Sequence, residues 1–266
     1  MRLRPALTGA TIVAVSGSHE EVARHRSRLV GRGIAEVTAH GKHLLIHVER
    51  GWTVRTHMGM TGRWALYSPG ERWRQTPGKA RIVIESEDAV AVCFAVPHVE
   101  IGPTARVMER LERIGPDLIG EHVPYELIVA AALRHLGPTV ADVVLDQAVA
   151  AGIGNVFKSE VLYLERISPH ISPEMLAAED MERLYARAVR LLTAGVGTSR
   201  RSTTGSRRPN QEYWVYGRAG SPCRRCGATI KTDRHGELDR TTYWCPRCQP
   251  APEDETPPSE RKTSNG

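Results

Sequence analysis

No apolar run in the sequence approaches the roughly 18 residues that cross a bilayer. The opening Met1-Arg2-Leu3-Arg4-Pro5 lacks the apolar stretch of a secretory signal. Internal repeats are absent, and so are collagen and heptad patterns. Membrane-spanning, fibrous and wholly disordered classes are thereby excluded, and a cytoplasmic protein is expected. What remains is ordinary globular composition, 41% apolar and 25% charged over 266 residues. That length accommodates one or two domains with sizeable cores.

Cysteine is scarce and uneven. Cys93 stands alone in an apolar stretch, while Cys223, Cys226, Cys245 and Cys248 sit together. A reducing compartment favours a metal site over disulfides. Charge is uneven too. The whole chain carries +6, but residues 195–249 hold eleven Lys/Arg and four Asp/Glu, a net of +7. A surplus concentrated in one segment suits a polyanion-binding surface, the plainer alternative being a solvated basic face.

Residues 1 to about 105 read mostly as strands. Alternation is clear in His43–Val48, Thr53–Met58 and Arg81–Glu85, with glycine-containing turns between them. Leu3 to Leu7 reads as the last turns of a helix ended by Gly9. From Gly115-Pro116 the period changes to that of helices, over Tyr125–Leu136, Thr139–Ala150, Val156–Glu165 and Ala177–Ala194. Residues 197–211 read as a long mobile loop and 250–266 as a disordered tail.

Cys223-Arg-Arg-Cys226 and Cys245-Pro-Arg-Cys248 are eighteen residues apart, the two-knuckle spacing of a four-thiolate zinc site. With every coordination position filled by protein, one such ion is structural and cannot activate water. The alternative is two unrelated or redox-active Cys-x-x-Cys pairs. Thr229 to Tyr243 reads as a hairpin with His235-Gly236 in the turn, carrying Lys231, Arg234 and Arg240. Upstream, Gly152 and Gly154 break a helix and Asn155 opens the next, where its side chain and nearby N–H groups can face an anion. An ordinary N-cap is the plainer reading.

Together these motifs resemble the formamidopyrimidine-DNA glycosylase and endonuclease VIII family. Asp146-Gln147 through Gly152-Ile153-Gly154-Asn155 to Ser159-Glu160 resembles its helix-two-turn-helix motif. Tyr216-Gly217-Arg218, the four cysteines and Arg240 to Gln249 resemble its zinc finger. Gly41-Lys42-His43-Leu44-Leu45 and His57-Met58-Gly59-Met60-Thr61-Gly62 also match, so the likeness spans about residues 2 to 249.

The resemblance implies an α+β fold with an N-terminal β-sandwich and flanking helix over 1–108. A helix-two-turn-helix domain over 115–211 and a zinc-finger β-hairpin over 212–249 follow. It also implies excision of oxidised bases from double-stranded DNA and cleavage of the abasic site. The damaged nucleotide is flipped out of the stack. By resemblance Lys42 contacts phosphate and assists β-elimination. Arg240 grips phosphates flanking the flipped nucleotide and serves δ-elimination. Asn155 and His57 contact phosphate, Met60 is the apolar wedge that fills the emptied stack, and Cys223, Cys226, Cys245 and Cys248 hold one zinc ion. A monomer acting on the bacterial nucleoid is expected, with no membrane partner.

Two departures stand out. Ala95-Val96-Pro97-His98-Val99-Glu100 replaces the Asp-Pro-Arg-Arg-Phe-Gly motif of the purine-preferring branch, which favours the endonuclease VIII branch and oxidised pyrimidines. The family opens Met-Pro-Glu-Gly-Asp, with the proline amine as nucleophile and the glutamate as general acid/base. This sequence opens Met1-Arg2-Leu3-Arg4-Pro5, which aligns with the end of the family's first helix. The expectation is a true start upstream of Met1. The alternative is a non-catalytic protein that binds damaged or abasic DNA. A generic zinc-ribbon protein of RNA or ribosome binding leaves Gly152 to Asn155, Lys42 and Met60 without a role.

Overall fold

The computed structural model describes residues 3–59, 61–196, 201–206, 208–236 and 239–250. They form two compact units, Met1–Arg113 and Ile114–Gly266.

The first unit is built on two four-stranded antiparallel sheets. One has the order β2 (Ile34–His40), β3 (His43–Val48), β4 (Trp52–His57), β8 (His98–Pro103). The other is ordered β1 (Ala14–Ser16), β6 (Ala80–Glu85), β7 (Val90–Phe94), β5 (Arg63–Tyr67). Alternation decides which side chains meet between the sheets. Leu44, Ile46 and Val48 of β3 join Val54, Ile82, Ile84, Cys93 and Ile101 in one buried cluster. The expected strands at 43–48, 53–58 and 81–85 lie within one residue of β3, β4 and β6. The helix α1 (Leu3–Leu7) buries Leu3 and Leu7 in the same core, and Gly9 follows at φ 85°. The stretch read as mostly strand also holds the helix α2 (Glu20–His25), and a further helix, α3 (Thr104–Leu111), follows β8. The lone Cys93 is fully buried, and burial pushes its thiol up to about 12.

In the second unit α4 (Tyr125–Leu133), α5 (Val140–Leu145), α6 (Asn155–Glu165) and α7 (Ala178–Gly195) enclose a core that includes Ile128, Val144, Leu162 and Leu184. Thr139 caps α5 through a reciprocal capping box with Asp142. The helix expected to reach Ala150 stops at Leu145. Asp146 Oδ1 accepts from Ala148 N at 2.8 Å, and the Gln147 amide donates to the carbonyls of Leu145 and Ile153, both at 2.9 Å. Side chains thus take over backbone groups that a longer helix would use. Gly152 then turns the chain at φ 123°, where a side chain would be strained. The hairpin of β9 (Lys231–His235) and β10 (Arg240–Trp244) completes the unit.

Part of the stretch read as a mobile loop is held in place. Thr203 N donates to Glu212 O at 2.8 Å, Thr204 Oγ1 to Gln211 O at 2.5 Å, and Arg224 to Asn210 O at 2.7 Å. Residues 197–200 and 207 of that loop, the wedge candidate Met60 and the tail 251–266 lie outside the described residues. No helix among the described residues is long and apolar enough to cross a membrane.

Candidate nucleic-acid interface and zinc centre

The four cysteine thiols are the described group whose ligand atoms gather to metal size, all within 4.8 Å of one another. Cys226 Sγ lies 3.5 Å from Cys245 Sγ, and Cys223 Sγ lies 3.9 Å from Cys248 Sγ. These separations are far longer than a disulfide bond of about 2.05 Å. They match the edge of a tetrahedron with metal–sulfur bonds of about 2.3 Å, which is about 3.8 Å. The donor set fits one structural zinc ion. Second contacts orient the thiols: the Tyr163 hydroxyl lies 3.3 Å from Cys223 Sγ, and Arg225 N donates to the same sulfur at 3.4 Å.

The knuckles are joined to α6 on several sides. Tyr163, Val215, Cys223, Ile230 and Cys245 form a buried cluster. Gln249 donates to Ile167 O at 2.8 Å and accepts from Cys245 N at 2.9 Å. Sequence reasoning missed the strongest anchor, Glu160. Its fully buried carboxylate accepts from Trp214 N at 2.9 Å and from Val215 N and Tyr216 N at 2.8 Å each, and it also receives the Thr203 hydroxyl. Only the Ser159-Glu160 ending of the motif pointed to it.

Asn155 is the first residue of α6, and Gly154 occupies the N-cap position. The N-cap reading of Asn155 is therefore replaced: its Nδ2 donates across to Thr241 O at 2.8 Å. Tyr243 N donates to Ser159 Oγ at 3.2 Å, so the start of α6 lies along β10. This places Asn155 beside the strand that Arg240 opens. Arg240 is exposed, and Arg234 is occupied by its own turn, donating to Asp239 O at 2.7 Å. Behind this surface Lys158 is fully buried, with no hydrogen-bond partner at Nζ among the described residues. Burial pulls its ammonium pKa down to about 8; Asp142 opposes that shift and Arg240 adds to it. Asp142 Oδ1 in turn accepts from Gly236 N in the hairpin turn at 2.5 Å.

In the first unit, Lys42 and His57 are neighbours. Met58 N donates to Lys42 O at 3.0 Å, and His43 is paired with His57 across β3 and β4. Burial lowers the His57 pKa, with smaller contributions from Lys42, His98 and Arg55. His43 is pushed down to about 3, by burial first and then by His57 and the cations around it. Both imidazoles are held towards the neutral form. The geometry thus gathers Lys42 with His57 in one unit and Asn155 with Arg240 in the other.

A zinc-knuckle hairpin seated along the helix that follows a two-glycine turn defines the class of helix-two-turn-helix, zinc-finger proteins. Three family models match in chain order. They are the formamidopyrimidine-DNA glycosylase N-terminal domain over residues 1–98, the formamidopyrimidine-DNA glycosylase H2TH domain over 114–206, and the zinc finger found in FPG and IleRS over 220–251. "Probable endonuclease 8 2" of Streptomyces coelicolor is 37% identical over 94% of this chain and 91% of its own length. "DNA-(apurinic or apyrimidinic site) lyase Nei2" of Mycolicibacterium smegmatis is 36% identical over 94% of each chain. The chain belongs to the formamidopyrimidine-DNA glycosylase and endonuclease VIII family. Its fold is that of a Lactococcus lactis formamidopyrimidine-DNA glycosylase solved with abasic-site DNA. That chain gives a TM-score of 0.77 at 22% identity, over 94% of this chain and 96% of its own.

Proposed function

We propose that this protein is a base-excision repair DNA glycosylase and abasic-site lyase that takes oxidised pyrimidines from double-stranded DNA. The observation that carries the reading is the seating of Asn155 against Thr241, next to Arg240, at the N-terminus of α6. A helix N-terminus, an amide and an exposed guanidinium together present donors to an anionic backbone. The membership of the family and the thiolate set that braces the hairpin support the same reading. The pyrimidine preference rests on Ala95 to Glu100 standing where the purine-preferring branch has its Asp-Pro-Arg-Arg-Phe-Gly motif.

In this reading Asn155 and His57 hold phosphates and Met60 fills the stack. Lys42 stabilises the phosphate that leaves in β-elimination, and Arg240 stabilises the one that leaves in δ-elimination. Cations set where negative charge develops lower the barrier without themselves forming bonds. Zinc, when bound, supplies rigidity to the hairpin and no Lewis-acid step.

Borohydride trapping on duplexes with an abasic site or an oxidised pyrimidine tests this. The assay compares the wild-type protein with K42A and R240A. The expected result is a covalent DNA adduct and strand cleavage by the wild-type protein, with cleavage slowed several-fold or more in each variant. Tight abasic-site binding with no adduct would instead assign a damage-binding role. No preference for damaged over intact duplex would overturn the proposal.

A further inference from the structure

The β2-β3-β4-β8 sheet of the first unit carries four histidines in a row, one on each strand. The register pairs His40 with His43, His43 with His57, and His57 with His98. Directly opposed residues of antiparallel strands point to the same face, so the four imidazoles share one end of one face. Ring centroids are 4.7 Å apart for His43 and His57, and 6.1 Å apart for His57 and His98.

The neighbours on that face narrow what the row can do. Two residues along the strands, Arg55 meets Glu100 at 2.7 Å, and Arg110 also pairs with Glu100. Two further along, His47 bridges Thr38 at 3.1 Å and Thr53 at 3.0 Å. Those inner groups are paired with one another, and no carboxylate stands in the histidine row itself. The imidazole nitrogens do not gather to metal size, since among the described residues only the four cysteines do. His43 is half-buried and held neutral. His98 is exposed and lies one strand beyond His57.

We propose that His98 is a second phosphate-gripping residue, extending across the sheet the contact assigned to His57 and holding a further phosphate of the same DNA. This deepens the DNA reading and rests on it. An imidazolium donates N–H to a phosphate oxygen and adds a charge that releases counterions when it docks. The position suits the role because β8 begins at His98, directly after Val96-Pro97, so the ring sits at the sheet's open end.

The test is the salt dependence of binding to a duplex with a tetrahydrofuran abasic site, at pH 6.5, for the wild-type protein, H98A, H98R and H57A/H98A. His98 is exposed, so its removal leaves the fold intact, which a thermal melt checks. One lost phosphate contact lowers the slope of log K against log salt by about 0.9. The expected result is that fall for H98A with several-fold weaker binding, and restoration in H98R; H57A/H98A should bind more weakly than H98A with little further change of slope, because burial holds His57 towards the neutral form. A wild-type slope in H98A would overturn the role of His98 alone. Absence of salt-dependent abasic-site binding by the wild-type protein would overturn the DNA reading on which it stands.

Discussion

The side-chain amide of Asn155 donates to the main-chain carbonyl of Thr241 at 2.8 Å, tying the first residue of α6 to the strand that Arg240 opens. Asn155 Oδ1, buried beside it, has no hydrogen-bond partner among the described residues. Removing the amide in N155A is expected to cost about 1 kcal/mol of stability, the usual worth of one such bond. In N155D a carboxylate faces the Thr241 carbonyl and any incoming phosphate, so abasic-site affinity should fall further than in N155A. Urea unfolding and fluorescence anisotropy measure the two effects. Equal affinity of N155D and wild type would remove Asn155 from the interface.

How much of this was legible in the sequence depends on the range of the forces involved. Alternation is local, so β3, β4 and β6 could be read directly, and cysteine spacing is local too. The end of α5 was misjudged because Asp146 and Gln147 divert backbone groups, an effect that apolar periodicity does not register. The helix α3 was missed because it follows β8 without an intervening turn and buries only Val107 and Leu111. The roles of Glu160, Lys158 and the histidine row escape sequence reading for another reason. Glu160 acquires its role from Thr203 and residues 214–216, Lys158 from Asp142 and Arg240, and His98 from its register with His57.

Glu160 offers the sharpest stability prediction. Its carboxylate collects three consecutive main-chain N–H groups ahead of the zinc knuckles. In E160Q one oxygen becomes an NH₂ that faces donors, and the charge that strengthens the remaining bonds is gone. A loss on the order of 3 kcal/mol is expected. Denaturant unfolding measures it, and hydrogen exchange at residues 214–216 localises it. Unaltered protection at those three amides would show that the anchor is dispensable.

Zinc removal should act on the hairpin and leave the sandwich alone. The cluster under the knuckles is small, with Val215, Ile230 and Tyr163 as its main apolar members, too little to hold a two-stranded hairpin unaided. Chelation is expected to abolish protection in β9 and β10 while the amides of β3 and β4 stay protected. Y163F removes the hydroxyl beside Cys223 Sγ and should weaken zinc binding about 10-fold or more, read by competition with a chromophoric chelator. Equal zinc affinity in Y163F would mean that the 3.3 Å contact does not orient the thiolate.

Lys158 gives a pH dependence with a definite sign. In the folded chain its ammonium loses its proton near pH 8, against 10.5 for an ordinary lysine, chiefly because burial disfavours the charge. Between those values the unfolded chain binds more protons than the folded one, so stability rises with pH across that window. Below pH 8 the fold carries the full cost of the buried charge, on the order of 3 kcal/mol. Asp142 is left well satisfied without the lysine, since it accepts from Thr139 N at 3.0 Å and Gly236 N at 2.5 Å. K158M should therefore be more stable than wild type at pH 7 by about 1–3 kcal/mol, because burying a methionine spares that desolvation. The difference should shrink steadily from pH 8 to 10.5 as the wild-type lysine sheds its proton. Urea unfolding of both proteins across pH 6 to 10.5 provides the comparison. A K158M variant less stable than wild type at pH 7 would show that attraction to Asp142 outweighs the cost of burial.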